Sequence, residues 1–434
     1  MPNSLNRLRT TLWRQLLRLF AASALCVGAV RAGAQVSAPA LYSAGRDVTI
    51  SLLTVGDGDR LWQMFGHTAV RIHNDLTGRD TVFNWGAFDF SQPNFLLHFL
   101  RGLNFYQMAG GTLAEVADDS RKNNRTIVSQ QLDLTTAQKD ALLQIVRTNA
   151  RPENITYRYD YFRNNCATRP RDILDQILGG QLHEHSKQVS GHSYRWHALD
   201  HMQSDKLLVI GVDIGLGTPS DRPITKWDEM FLPRELHDVV ATLQVRDSTG
   251  TLHPVVRNER VLFQSTRPPE PAGPPNLAAP LLAIGLAIGA AFLLLGTRSV
   301  EAGRPFRVST SVLLAVWSLL AGLLGVVLTL LWVATDHVFA HGNANLLVFN
   351  PLWLALVVML PSTFMSGNAT RGARFVTTMI AVLCVLALVG NVVGATSQSN
   401  FAVVALGLPP ALAIAIAVRR MPGGLNAPAW RQPD

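Results

Sequence analysis

The chain divides by hydropathy into a mixed polar stretch, about residues 46–265, and an apolar one beyond it. In the first, Asp47–Val55, His67–Ile72 and Thr81–Trp85 are rich in residues that suit strands, and Asn74–Asp80, with Gly78, reads as the turn between the last two. Thr135 with Gln138 forms a capping-box pattern that predicts a helix to about Asn149. The periodic run Ile173, Leu174, Ile177 and Leu178 predicts a second helix, which starts near Cys166 and stops at Gly179-Gly180. Strands and helices intermixed in this way point to an α+β domain with no evident internal repeat.

Arg267-Pro-Pro-Glu-Pro-Ala-Gly-Pro-Pro275 breaks the pattern as a stiff linker, set at residues 266–276. Five apolar runs follow, near 277–297, 312–334, 346–364, 375–395 and 401–418, and predict an all-α five-helix transmembrane domain over 277–420, in which the third and fifth helices only just suffice. A cytoplasmic tail is expected at 421–434. At the other end, Arg7, Arg9, Arg14 and Arg18, then Leu19–Val30 and Ala32-Gly33-Ala34, have the order of an export signal with an A-x-A cleavage site, over residues 1–34. Whether it is cleaved or stays as an anchor, the polar domain faces the same side.

The net charge of +8 changes this picture little. The leader holds five Arg and no acid, and residues 277–434 hold eight Arg against Glu301, Asp336 and Asp434, so the part between is net −2 (+8 − 5 − 5). The basic excess marks loops: Arg298, Arg304 and Arg307 follow the first run, Arg371 and Arg374 the third, and Arg419 and Arg420 the fifth, while 335–345 and 396–400 have no Lys or Arg. Basic loops lie in the cytoplasm, which predicts an inner-membrane protein with its polar domain outside and its C-terminus inside. Nucleic-acid binding is not indicated.

The three cysteines are too few for a disulfide framework, since Cys26 lies in the leader and Cys384 in an apolar run. Cys166, alone in the polar domain, is either a reactive thiol or a small buried hydrophobe. Pro170 is tolerated only in a first helical turn, so Cys166 sits at a helix amino end, where the dipole, with Arg163, Arg169 and Arg171 near in sequence, favours thiolate. Of twelve His, His67 in Phe65-Gly-His-Thr-Ala69 is the best placed base, at the start of a strand. Asn84, at the end of the next strand, is either the residue that holds its tautomer or an ordinary turn Asn. His197 and His201 have the spacing of a metal pair, yet no Glu follows His197 as in a zinc-peptidase motif, and a polar, partly mobile surface segment is the preferred reading; no metal or other cofactor is expected. Asp336, His337, His341, Asn343 and Asn345 fall at the outer membrane surface, either as ordinary interfacial polarity or as the lining of a head-group entrance.

Ser51-Leu-Leu-Thr54, Phe65-Gly-His-Thr-Ala69, Phe83-Asn-Trp-Gly-Ala-Phe-Asp-Phe90, Leu100-Arg-Gly102, Tyr159-Asp-Tyr-Phe162, Asn165-Cys-Ala-Thr-Arg169 and Met230-Phe-Leu-Pro233, in this order, together with Asn350-Pro351-Leu352, make the chain resemble the Lnb-type bacterial lipoprotein N-acyltransferases. The resemblance implies a papain-like, circularly permuted NlpC-type periplasmic domain, because His67 precedes Cys166, and a five-helix membrane domain. It also implies acyl transfer from a membrane phospholipid to the α-amino group of a diacylated lipoprotein's cysteine, with Cys166 as nucleophile, His67 as base and Asn84 steadying the ring. Asn165 and Arg169 are the candidate oxyanion helpers, and Asp336 and His337 the candidate substrate contacts. A membrane-anchored cysteine hydrolase, either peptidoglycan amidase or peptidase, and a non-enzymatic lipoprotein-binding factor are the alternatives.

Overall fold

The computed structural model describes residues 43–88, 94–299, 301 and 303–422; the export signal at 1–34 and most of the tail at 421–434 lie outside the described residues. Three strands, β1 (Val48–Val55), β2 (His67–Asn74) and β3 (Asp80–Ala87), form a meander close to the expected bounds. With β4 (Phe105–Gly111), β5 (Ile127–Leu132), β6 (Thr156–Arg158) and β9 (Val256–Phe263) they build one antiparallel sheet in the order β6-β4-β3-β2-β1-β5-β9. A two-stranded ribbon, β7 (Gln244–Arg246) and β8 (Leu252–Pro254), precedes the last of these.

Alternation along the strands sorts side chains between two faces. One face carries Ile50, Leu52, Val70, Ile72, Phe83 and Trp85, which pack in one core with Leu142, Leu143 and Val146 of α3 (Thr136–Asn149), Ile173, Leu174 and Ile177 of α4 (Thr168–Ile177), and Leu236 and Val240 of α9 (Pro233–Thr242). The other face buries Leu53, Ala69 and Val82 against Val116 of α2 (Leu113–Lys122). The capping box at Thr135 and Gln138 is present, and α4 ends just before Gly179. A short helix α1 (Phe95–Leu100) joins β3 to β4.

The histidine-rich stretch is folded rather than a mobile surface segment. It forms α5 (Gln181–His185) and α6 (Tyr194–His201), and His197 is buried with Nε2 2.8 Å from Glu229 at the end of α8 (Lys226–Glu229). His201 instead faces Asp57 at 3.3 Å, so the two imidazoles turn to separate carboxylates. The proline-rich segment is tied down by Gln203, whose side chain donates to Pro271 O.

Beyond it, α10 (Ala278–Arg298), α11 (Arg304–Val333), α13 (Arg371–Val392) and α14 (Phe401–Arg420) are long and apolar enough to cross a membrane. The third apolar run departs from expectation. It begins as a 3₁₀ turn, Ala344–Leu347, and only Trp353–Ser366 (α12, 14 residues) is α-helical. That helix is about 21 Å long, short of a hydrocarbon core of about 30 Å. Pro351 lacks the N–H that a continuous helix needs, and the irregular backbone before it is buried by protein at Val348, Phe349 and Asn350, the condition under which a membrane domain tolerates it.

The two domains meet through the carboxyl end of α7 (Lys206–Gly215). Ile214 packs in the core of the helical domain, and the carbonyls that α7 leaves open are capped from there. Asn343 Nδ2 donates to Ile214 O at 2.8 Å, Asn345 Nδ2 donates to the same oxygen at 2.9 Å, and Gln398 Nε2 donates to Leu216 O at 3.1 Å. Asn400 Nδ2 donates in turn to Asn345 Oδ1, and all four amides are buried. Asn345→Leu leaves Ile214 O short of one donor and Asn400 without its acceptor, a loss of about 1–3 kcal/mol. We expect the apparent unfolding midpoint of the full-length protein in detergent to fall by several degrees; an unchanged midpoint would contradict this role.

Candidate active site

The turn that carries Cys166 is built by Asn165. Its Oδ1 accepts from the N–H groups of Ala167 and Thr168, both at 2.9 Å, while Thr168 Oγ1 accepts from Asn165 N–H at 2.7 Å, a reciprocal cap from which the helix starts at Thr168, close to Cys166 as the sequence predicts. Its Nδ2 donates to Tyr161 O and Phe231 O, both at 2.9 Å. With every group committed to the turn, Asn165 positions Cys166 and has no donor left for an oxyanion, contrary to expectation.

Across from this turn the sheet is open. The β2–β3 ladder runs from His73↔Asp80 to Ala69↔Asn84 and stops, and the pairing of β3 with β4 is irregular between Trp85 and Ala87. Gly86, between them, has φ +123°, and a Cβ there would lie 3.6 Å from Cys166 Cβ. The positive φ favours glycine there, and the cysteine side chain lies at ordinary van der Waals range of it. The backbone amides of Thr68, Cys166 and Ala167 lie close enough to the sulfur to favour its charged form.

These amides do not make a thiolate. Burial pushes the half-buried Cys166 thiol up to about 11, against the pull of the Thr68 and Cys166 amides, Arg125 and the Ala167 amide. Burial also lowers the His67 imidazole to about 4, with the charge of Arg125 adding to it. Thiol and imidazole are therefore each neutral at rest, where the helix end alone favours thiolate. The arginines near in sequence are turned elsewhere. Arg169 Nε donates to Asn164 Oδ1 at 2.6 Å with its guanidinium over the Tyr157 ring, Arg171 pairs with Asp172, and Arg163 lies over Phe339.

Arg125, just before β5, is the cation that the sequence reading missed. It is buried, its Nε donates to Gly56 O at 2.8 Å, and its Nη2 has no partner among the described residues. A lone Arg ahead of a strand carries no signal of this; only the fold brings it to the pair. Tyr159, stacked on Tyr106 with centroids 4.2 Å apart, adds an aromatic wall beside Gly86 and the thiol.

His67 opens β2 opposite Val55 of β1, and Asn84 pairs with Ala69, placing it diagonally from His67 on the same face. Asn84 Nδ2 donates to Ala109 O at 3.4 Å, and no hydrogen bond joins it or Cys166 to the imidazole among the described residues. Asp336 and His337 lie at the domain junction. Asp336 pairs with Arg158 at 3.2 Å, and His337 Nε2 lies 3.0 Å from Phe99 O, so both hold the helical domain to the sheet domain.

With the thiol so far from ionisation, alkylation of Cys166 by iodoacetamide in the full-length protein should rise about tenfold per pH unit from pH 7 to 10. A rate that is flat over this range would mean a preformed thiolate. Arg125→Met removes a charge that depresses His67, so the imidazole, followed by NMR, should titrate at higher pH than in the unaltered protein; an unmoved titration would detach Arg125 from the pair.

Residues 40–200 match the Lnb N-terminal periplasmic domain and residues 277–416 the Lnb transmembrane domain. No curated protein and no solved structure gives a match. The two matches occur in the order of the two folded units, so the protein is a bacterial membrane protein with a periplasmic N-terminal region, and the chain belongs to the Lnb-type lipoprotein N-acyltransferase family.

Proposed function

We propose that the protein moves an acyl chain from a membrane phospholipid, through a thioester on Cys166, to the α-amino group of a diacylated lipoprotein's N-terminal cysteine. One observation carries this reading: a cysteine just ahead of a helix, packed against Gly86 and near Thr68, the residue that follows a neutral imidazole, in a domain fastened to a membrane bundle.

In the first step His67 takes the thiol proton as the sulfur attacks the ester carbonyl. The tetrahedral intermediate holds its negative oxygen toward the Cys166 N–H, the C–O bond breaks, and the departing lysophospholipid oxygen takes the proton back from His67. In the second step the lipoprotein amine attacks the thioester and gives a proton to His67; the C–S bond breaks and the sulfur recovers that proton. An imidazole with a pKa of about 4 is in its base form throughout neutral pH, which suits a pair that ionises only as it reacts. Asn84 is assigned to steady the imidazole, by turning from Ala109 O. The C-terminus is assigned to the cytoplasm, because Arg304, Arg307, Arg371, Arg374, Arg419 and Arg420 gather at the helix ends away from the junction at 335–345 and 396–400.

The test is mass spectrometry of a lipoprotein's N-terminal peptide from cells without other N-acyltransferases. A third acyl chain is expected with the unaltered protein and none with Cys166→Ser. Two acyl chains in both would remove this reading in favour of a membrane-anchored hydrolase, and three in both would make Cys166 structural.

A further inference from the structure

Helix α1 is apolar where the sheet domain has no core to cover. Leu96, Leu97 and Leu100 each leave more than half of their surface exposed, and Phe99 more than a third. Four large apolar side chains on one short helix form a patch that a water-facing domain rarely shows without a partner. The helix is also held at a defined height. Asp336 N–H donates to Arg101 O at 2.8 Å, and His337 Nε2 lies 3.0 Å from Phe99 O. Gly102, with φ +74°, packs so closely that a Cβ would lie 2.8 Å from the backbone of Asp336 and His337. These two residues come just after the end of α11, whose last apolar residues, Trp332 and Val333, are themselves exposed. The chemistry that covers Trp332 and Val333 is lipid, and α1 is fastened to the loop that leaves it.

We propose that α1 is an interfacial anchor that inserts Leu96, Leu97, Phe99 and Leu100 into the periplasmic leaflet beside α11. The strand before α1 in the chain, β3, carries Gly86, the residue against Cys166. In the acyl-transfer reading, on which this last consequence rests, α1 holds the thiol at the level of phospholipid ester carbonyls. The anchoring itself does not depend on that reading.

The test is a depth measurement on the full chain in phospholipid nanodiscs, with Cys26, Cys166 and Cys384 replaced by serine and a nitroxide attached at Leu97→Cys, or in separate samples at Leu96→Cys or Leu100→Cys. Leu76→Cys, in the exposed turn after β2, is the aqueous reference. Collisional broadening by oxygen should exceed that by a water-soluble nickel chelate at the α1 sites, and the reverse should hold at Leu76. Nickel access at all three α1 sites equal to that at Leu76 would overturn the proposal. The measurement reads no activity, so it separates this inference from the acyl-transfer reading. With the cysteines retained, Leu96→Ser/Leu97→Ser/Leu100→Ser should lower acylation from bilayer donor at least tenfold.

Discussion

The site depends on the turn that carries Cys166 being pinned against the open end of the sheet. The ladder between β2 and β3 ends at Ala69↔Asn84, and the pairing of β3 with β4 is irregular around Gly86, the residue against Cys166. The turn is held there by the reciprocal cap of Asn165 and Thr168 and by the donation of Asn165 to Phe231 O. Sheet, the turn before α4 and the Met230–Pro233 segment are thereby joined at one point.

Two opposed influences act on the sulfur there. Donors and a nearby guanidinium favour a negative charge, and loss of water disfavours it more strongly. The same loss of water keeps the imidazole neutral. Both groups therefore rest neutral beside the buried guanidinium of Arg125. The membrane domain reaches into this arrangement. Phe339, from the loop after α11, enters the aromatic cluster of Phe162, Tyr194 and Phe231, its ring 4.5 Å from that of Phe162. The turn that carries Cys166 and the membrane loop thus share one small core.

Much of this was legible in the sequence. The strand bounds, the Thr135 cap, the helix start close to Cys166 and four of the five apolar helices follow from local patterns of apolar residues, caps and prolines, because those patterns act over a turn or two. Longer-range features were not. The thiol's resistance to ionisation comes from burial by distant elements, and the role of Arg125 from a fold that sets β5 beside β1. Asn165 is an ordinary polar residue until its four partners are known. The third membrane run reads as continuous by hydropathy because its break at Asn350-Pro351 lies among apolar residues that protein rather than lipid surrounds. The anchoring amides Asn343, Asn345, Gln398 and Asn400 are separated by up to 57 residues and meet only when the bundle closes.

That last separation has a bearing on biogenesis. The Ile214 carbonyl belongs to the sheet domain, yet its side-chain donors Asn343 and Asn345 lie 129 and 131 residues later in the chain, after the second membrane helix, and Gln398, which reaches Leu216 O from 182 residues on, comes just before the last. On a growing chain that is exported from its amino end, the sheet can complete with β9 while the end of α7 still waits for its caps. The junction at the end of α7 is therefore complete only when the segments on both sides of Gln398 are in place.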